Sequence, residues 1–210
     1  MKPAALPSIA DAVYARSVRL LAVQHAVAEI TGGRKVDADP EALRDAIRLT
    51  QKAIREVPGA YACIIGGLAV QEHGYARWTD DVDVVVDAEH YGEVLEKLRE
   101  FGFVIEPNGV LKNRETGALL DLLKEGVKLK DSRWPLPHPR ELGPNVNYAW
   151  LHGLIRLKLD SGGRMKDLAD IVELLKSRLH EIEALRSQLP ESLQSEFDDL
   201  AAKARREMMP

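Results

Sequence analysis

The chain has 210 residues, 45% of them hydrophobic and 30% charged, with a formal net charge of −4. That balance excludes a disordered chain and supplies enough apolar material for a real core. A run of about 18 apolar residues, the length a spanning helix needs, is absent, so no membrane partner is expected. The one cysteine, Cys63, excludes an internal disulfide and a cysteine-built metal cage, and its isolation fits a reducing cytoplasm. Met1 to Ala12 carries Pro3, Pro7 and Asp11 and has no unbroken apolar stretch of the secretory kind, so no leader is expected. The acidic excess is local. Residues 60–150 hold 10 basic and 15 acidic side chains, net −5, against net +2 before them and net −1 after them. A cation is best accommodated in that middle stretch, and nothing resembles a general nucleic-acid coat.

Residues 9–30 predict an amphipathic helix, with Ser8 as N-cap and Ile9, Val13, Leu20 and Val27 at helical spacing, stopped by Thr31-Gly32-Gly33. Pro40 opens a second helix behind Asp39, with Leu43, Ile47, Ile54 and Val57 on one face, and Pro58-Gly59 ends it. Tyr61 to Ile65 is a short apolar run that reads as a buried strand. Gly66-Gly67 turns the chain into a short helix over Leu68–His73. Val82 to Val86 reads as a strand interrupted by Asp83, and Ala88 to Phe101 as a helix with Gly102 past its end. Strands are expected at Phe103–Glu106, Val110–Lys112 and Ala118–Leu123, separated by turn-rich segments. Residues 131–147, with four prolines, read as a loop. Helices over Tyr148–Asp160, Met165–Leu179 and 190–207 complete the chain. The order predicts an α/β or α+β core with helices at both ends.

The chemistry gathers around Ile64-Ile65-Gly66-Gly67, followed after thirteen residues by Asp81-Val82-Asp83-Val84, with Asp121 later between Leu120 and Leu122. Carboxylates at i and i+2 of a strand project to one face. Without a cation they repel and raise one another's pKa. A divalent cation removes that cost, and an all-oxygen pair suits Mg²⁺, which completes its shell with water and substrate phosphates. The Gly-Gly turn exposes backbone N–H groups where a helix begins, a place that favours phosphate. A third carboxylate on a neighbouring strand completes a second metal site or takes a proton from an attacking hydroxyl. Asp80 should face the other way and is left out of the metal set.

This pattern resembles the polymerase-β-like nucleotidyltransferase superfamily. The stretch Gly66-Gly67-Leu68-Ala69-Val70, His73-Gly74, Arg77-Trp78-Thr79-Asp80-Asp81-Val82-Asp83 looks most like AbiEii and related minimal nucleotidyltransferases, many of them toxins of toxin–antitoxin pairs. Lys158 to Asp170, with Arg164, Lys166 and Asp167, resembles that group's fourth motif. The resemblance covers roughly residues 60–178. It implies a small mixed β-sheet nucleotidyltransferase core over 60–147, an N-terminal helical extension over 1–59 and a C-terminal helical region over 148–210. It also implies metal-dependent transfer of a nucleoside monophosphate from an NTP to an acceptor hydroxyl. By position, Asp81 and Asp83 would hold Mg²⁺, and Asp121 a second metal or the proton. Gly66, Gly67, Arg77, Thr79, Lys158, Lys166 and Asp167 would serve the nucleotide. The acceptor implied is RNA or protein, with an antitoxin protein as a possible partner. The alternatives are a small-molecule acceptor, as in aminoglycoside adenylyltransferases, or a non-catalytic nucleotide-binding or protein-interaction module.

Each residue also has a plainer reading. Lys158 follows Leu151, Leu154 and Ile155 on an apolar stripe, so it either snorkels out or meets a buried anion. Lys166 and Asp170 are at i,i+4 and fit a surface ion pair. Arg77 and Thr79 fit a turn cap, and His73 fits packing near the Gly-Gly helix. Trp78, Trp134 and Trp150 fit core or loop packing. Lys124, Lys128, Lys130 and Arg133 form either an acceptor-binding strip or a solvated hairpin, and Cys63 reads as buried and inert.

Overall fold

A computed structural model describes residues 8–12, 14–16, 18–20, 22, 39–79 and 81–209. Residues 9–12, 14–16, 18–20 and 22 are helical, in line with the first expected helix; Val13, Val27, its glycine stop and Asp80 lie outside the described residues. Helix α1 spans Pro40–Glu56. Asp39 caps it by accepting from the Glu41 N–H at 2.9 Å, and Pro40 occupies the first turn, where a missing N–H costs nothing. Its face of Leu43, Ala46, Ile47, Ala53 and Ile54 is buried.

Six strands form one mixed sheet in the order β3-β4-β5-β2-β1-β6. They are β1 (Ala62–Ile64), β2 (Asp81–Val86), β3 (Phe103–Ile105), β4 (Leu111–Asn113), β5 (Leu119–Lys124) and β6 (Asn147–Tyr148). The central pair, β2 and β5, is parallel, and Asp83 stands directly opposite Asp121. β2 runs antiparallel to β1, and β1 runs parallel to β6. Val82, Val84, Leu120 and Leu122 point to the face covered by α1 and by α3 (Tyr91–Glu100). Asp81, Asp83 and Asp121 point to the other face, toward α2 (Gly66–Glu72) and α5 (Leu151–Asp160). The period-two alternation of a strand thus sorts the apolar set from the acidic set. A short α4 (Pro139–Leu142) precedes α5; α6 (Met165–Lys176), a 3₁₀ turn at Leu179–Glu181, α7 (Ile182–Ser187) and α8 (Glu191–Met208) follow it. Ile171, Leu174 and Leu175 of α6 join Leu193, Phe197 and Ala201 of α8 in the buried core. The architecture is α/β with a mixed sheet and helices on both sides of it in sequence. Among the described residues no helix is long and apolar enough to cross a membrane.

Three expectations need correction. Residues 131–147 are not loop throughout. Pro139–Leu142 is helical, with His138 Nδ1 accepting from the Arg140 N–H at 3.0 Å, and Asn147 begins β6. Tyr148 is therefore in a strand, and the helix expected from it begins at Leu151. The cause is tertiary: Asn145 bridges to β1, accepting from the Ala62 N–H at 2.9 Å and donating to the Ala60 carbonyl at 3.1 Å. The expected helix over 88–101 begins at Tyr91, because Asp87 accepts from the His90 N–H and holds 88–90 as a turn.

Candidate active site

The β1–α2 turn brings the glycines against the acidic strand. The Ile65 N–H donates to the Asp83 carbonyl at 2.9 Å, tying the turn to β2. Gly66 has φ +62°, and a Cβ placed on it would lie 2.6 Å from Asp83 Cγ. A Cβ on Gly67 would meet Thr79 Oγ1 at 2.5 Å and Arg77 Nη2 at 3.0 Å. The first glycine is needed for its backbone conformation, and both are needed because side chains of the site already fill the space above them.

All ten residues singled out by the sequence line one cavity of about 460 Å³: Gly66, Gly67, Arg77, Thr79, Asp81, Asp83, Asp121, Lys158, Lys166 and Asp167. Asp81 Oδ1 accepts from Thr79 Oγ1 at 2.7 Å, which fixes its rotamer. The Gly67 N–H lies on the Asp83 side of the turn and favours the charged form of that carboxylate. Burial, and then the charges of Asp81 and Asp121, push the Asp83 carboxyl up to about 7, against the pull of Lys158 and the Gly67 N–H. Burial, with the charge of Asp81 added, raises Asp121 as well. Three acids on adjacent strands therefore carry more negative charge than their surroundings balance, and one of them retains its proton near neutrality.

Behind the acids lies a second charged layer. Lys158 does not snorkel: its Nζ is buried and donates to Asp167 Oδ1 at 2.8 Å and to Asp170 Oδ2 at 2.6 Å. Asp170 also meets Arg77 Nε at 3.2 Å, and Arg164 Nε donates to Asp167 Oδ2 at 2.7 Å. Asp167 stays below the ordinary carboxylate range; burial raises it, but Lys158, Ser161 and Arg164 outweigh that. The expected Lys166–Asp170 surface pair does not form. Asp170 is buried with Lys158 and Arg77, and Lys166 is exposed at the cavity rim. Asp170 and Arg164, named in the sequence reading but given no place in the site, and Asp160, not singled out there, complete this layer. Asp167 and Asp170 share a helical face with Ile171 and Leu174, and acids on an apolar stripe are the signal that would have exposed a buried cation between them.

Across the cavity stands the segment after β5. The Gly126 N–H donates to the Leu136 carbonyl at 2.9 Å, and the Leu136 N–H to the Val127 carbonyl at 3.0 Å, closing residues 127–135 into a loop. Asp160 Oδ1 accepts from the N–H groups of Arg133, at 2.8 Å, and Trp134, at 3.1 Å, pinning the loop to the end of α5. Leu129, Lys130, Asp131 and Ser132 face the cavity. Lys128 is exposed, Arg133 pairs with Glu196, and Lys124 Nζ lies 5.8 Å from the Tyr91 ring centroid, so the four cations do not form one strip. Trp134 and Trp150 are 41% and 45% exposed, not core. His73 Nε2 bonds the Ala149 carbonyl at 2.8 Å, a structural contact, and burial pushes the Cys63 thiol up to about 12.

Whether the acids fit a metal is a question of donor chemistry. Asp81, Asp83 and Asp121 offer oxygen alone, and their mutual repulsion is what a divalent cation relieves; that set fits Mg²⁺. Among the described residues, the trio whose ligand atoms all fall within 4.8 Å of one another is instead Asp87, Glu89 and His90, at the opposite end of β2. The cavity acids are spread more widely, as a site shared with substrate oxygens would be. Asp87 is already engaged, accepting from the Tyr61 and His90 N–H groups and from the His90 ring.

No family model matches the chain, and no curated protein sequence does. Solved structures similar to it include the antibiotic-resistance factor ANT(2'')-Ia in solution, at 16% identity, covering 78% of this chain and 95% of that one, with a TM-score of 0.45. The crystal structure of ANT(2")-Ia in complex with adenylyl-2"-tobramycin is similar at 16% identity over 81% of this chain and 100% of that one, TM-score 0.47. An antigenic nucleotidyltransferase-like protein from Paracoccidioides brasiliensis is similar at 17% identity over 74% of this chain and 96% of that one, TM-score 0.39.

Proposed function

We propose that the chain is a nucleotidyltransferase that moves a nucleoside monophosphate from an NTP to an acceptor hydroxyl. One observation carries this reading: Asp81, Asp83 and Asp121 meet on adjacent parallel strands, over a Gly-Gly turn, in a single cavity. Asp81 and Asp83 would hold Mg²⁺, with Asp121 beside them. The ion, when bound, supplies charge neutralisation on the triphosphate and polarises the α-phosphorus. Asp121, whose burial raises its affinity for a proton, takes the proton of the acceptor hydroxyl. The acceptor oxygen bonds to the α-phosphorus, the bond to the β-phosphate bridging oxygen breaks, and pyrophosphate leaves with that electron pair. Lys158, buried beneath, Arg77, Gly66, Gly67 and Thr79 along the wall, and Lys166 at the rim serve the phosphates, while Asp167 orients Lys158.

A cavity of about 460 Å³ suits one nucleotide-sized ligand. The acceptor then enters at the mouth, past loop 127–135. We read the chain further as AbiEii-like and toxin-like, acting in the cytoplasm on an RNA end or a protein side chain, with an antitoxin partner. The motif residues 66–83 and 158–170 support this. On the same reading 60–147 is the catalytic core between the helical regions 1–59 and 148–210. The test incubates the protein with each labelled NTP, Mg²⁺, and in separate arms total RNA, cell extract or an aminoglycoside. Label transfer in one arm that is lost in Asp81→Ala and Asp83→Ala supports the enzyme and identifies the acceptor class. Tight NTP binding with no transfer in any arm would replace the enzyme with a binding module.

A further inference from the structure

Asp170 does not line the cavity, yet it touches two cations that do. Its side chain is 3% exposed, with one oxygen 2.6 Å from Lys158 Nζ and the other 3.2 Å from Arg77 Nε. These cations come from distant parts of the chain: Arg77 from the segment before β2, Lys158 from the last turn of α5. A buried and a half-buried cation so placed repel one another unless an anion stands between them. Arg77 is held at two further points: its carbonyl accepts from Gln71 Nε2 at 2.7 Å, and its Nη1 donates to the Trp78 carbonyl at 3.2 Å. Its Nη2 stands over Gly67, 3.0 Å from where a Cβ there would lie. Its Nε, buried, has no well-aligned hydrogen bond, so Asp170 acts on it mainly through charge.

We propose that Asp170 is a positioning residue, which aims the Arg77 guanidinium at the Gly-Gly turn and holds Lys158 beneath Asp83, so that both cations meet the triphosphate. This rests on the nucleotidyl-transfer reading and deepens it by assigning the phosphate-facing orientation of Arg77 to a residue outside the cavity. Asp167 does not substitute for it, because Asp167 pairs with Lys158 and Arg164 and not with Arg77.

The test is a double-mutant cycle on NTP affinity, measured calorimetrically with ATP, CTP, GTP and UTP and Mg²⁺, on proteins shown to be folded by circular dichroism. Asp170→Asn is expected to weaken the preferred NTP roughly tenfold. In an Arg77→Ala background the same change is expected to cost less than about threefold, because one of the two cations it positions is gone. A residue that only supports the fold would cost the same factor in both backgrounds. Should Asp170→Asn fail to fold, Asp170→Glu keeps the charge and displaces it, and the same non-additivity is expected. Losses that multiply, or an Asp170 variant that is folded and binds like wild type, overturn the proposal alone. A wild-type protein that binds none of the four NTPs overturns both it and the nucleotidyl-transfer reading.

Discussion

Replacing Asp83 with asparagine keeps the side-chain shape and removes a charge. In the folded protein this carboxyl titrates near 7, chiefly because of burial and then because of Asp81 and Asp121. In the unfolded chain it titrates near 4. Between those values the folded state holds a proton that the unfolded state has lost. The contribution of Asp83 to stability is therefore greatest below about pH 4 and declines as pH rises to 7, by about 1.4 kcal/mol per pH unit. The full window amounts to about 4 kcal/mol, an upper bound for a half-buried group that the cavity leaves partly wet. Asp83→Asn has no such decline. Its advantage over wild type should widen by about 3 kcal/mol between pH 5 and pH 8, read by guanidinium unfolding in the presence of a chelator. Added Mg²⁺ at pH 8 should then stabilise wild type more than the variant, while transfer activity is lost in the variant. A wild-type-to-variant gap equal at the two pH values would refute the reasoning, since it would mean that Asp83 ionises as freely in the fold as outside it.

Gly66→Ala forces a side chain into φ +62° and against the Asp83 carboxyl; a loss of about 1–3 kcal/mol by chemical denaturation, together with loss of transfer, is expected. Lys158→Met leaves Asp167 and Asp170 buried with less countercharge and should cost about 3–5 kcal/mol at pH 7, measured the same way. Asp160→Ala removes the acceptor for the Arg133 and Trp134 N–H groups, so limited trypsin digestion should cut at Lys128 or Lys130 at least several-fold faster than in wild type. Cys63, buried and with its thiol raised to about 12, should resist alkylation at pH 8 in the native protein and react promptly in denaturant.

The site was more legible than the edges of the sheet. Glycines followed by acids at alternate strand positions carry a local physical meaning, and Asp81 and Asp83 do share a face. Lys158 showed itself as a misfit on an apolar stripe, which left two outcomes open, and burial against Asp167 and Asp170 is the one found. Asp170 was read as a surface partner of Lys166, because that i,i+4 spacing offered a nearer cation than the true ones. Strand β6 was hidden by the prolines that precede it. Its pairing with β1 depends on Asn145 reaching a backbone far away in sequence, and no local pattern encodes that.

What the amino-acid order determined by itself was periodicity and chemistry: which segments coil or extend, which face of each is apolar, and where the glycines and acids fall. Those follow from dihedral limits and side-chain spacing within a few residues. The tertiary structure alone decided that Asp121 stands opposite Asp83, that one carboxyl consequently holds its proton near neutrality, and that Arg77 and Lys158 share Asp170. Strand register and the pairing of buried charges arise from contacts between segments remote in the chain, where the energy of an ion depends on what surrounds it and not on what precedes it.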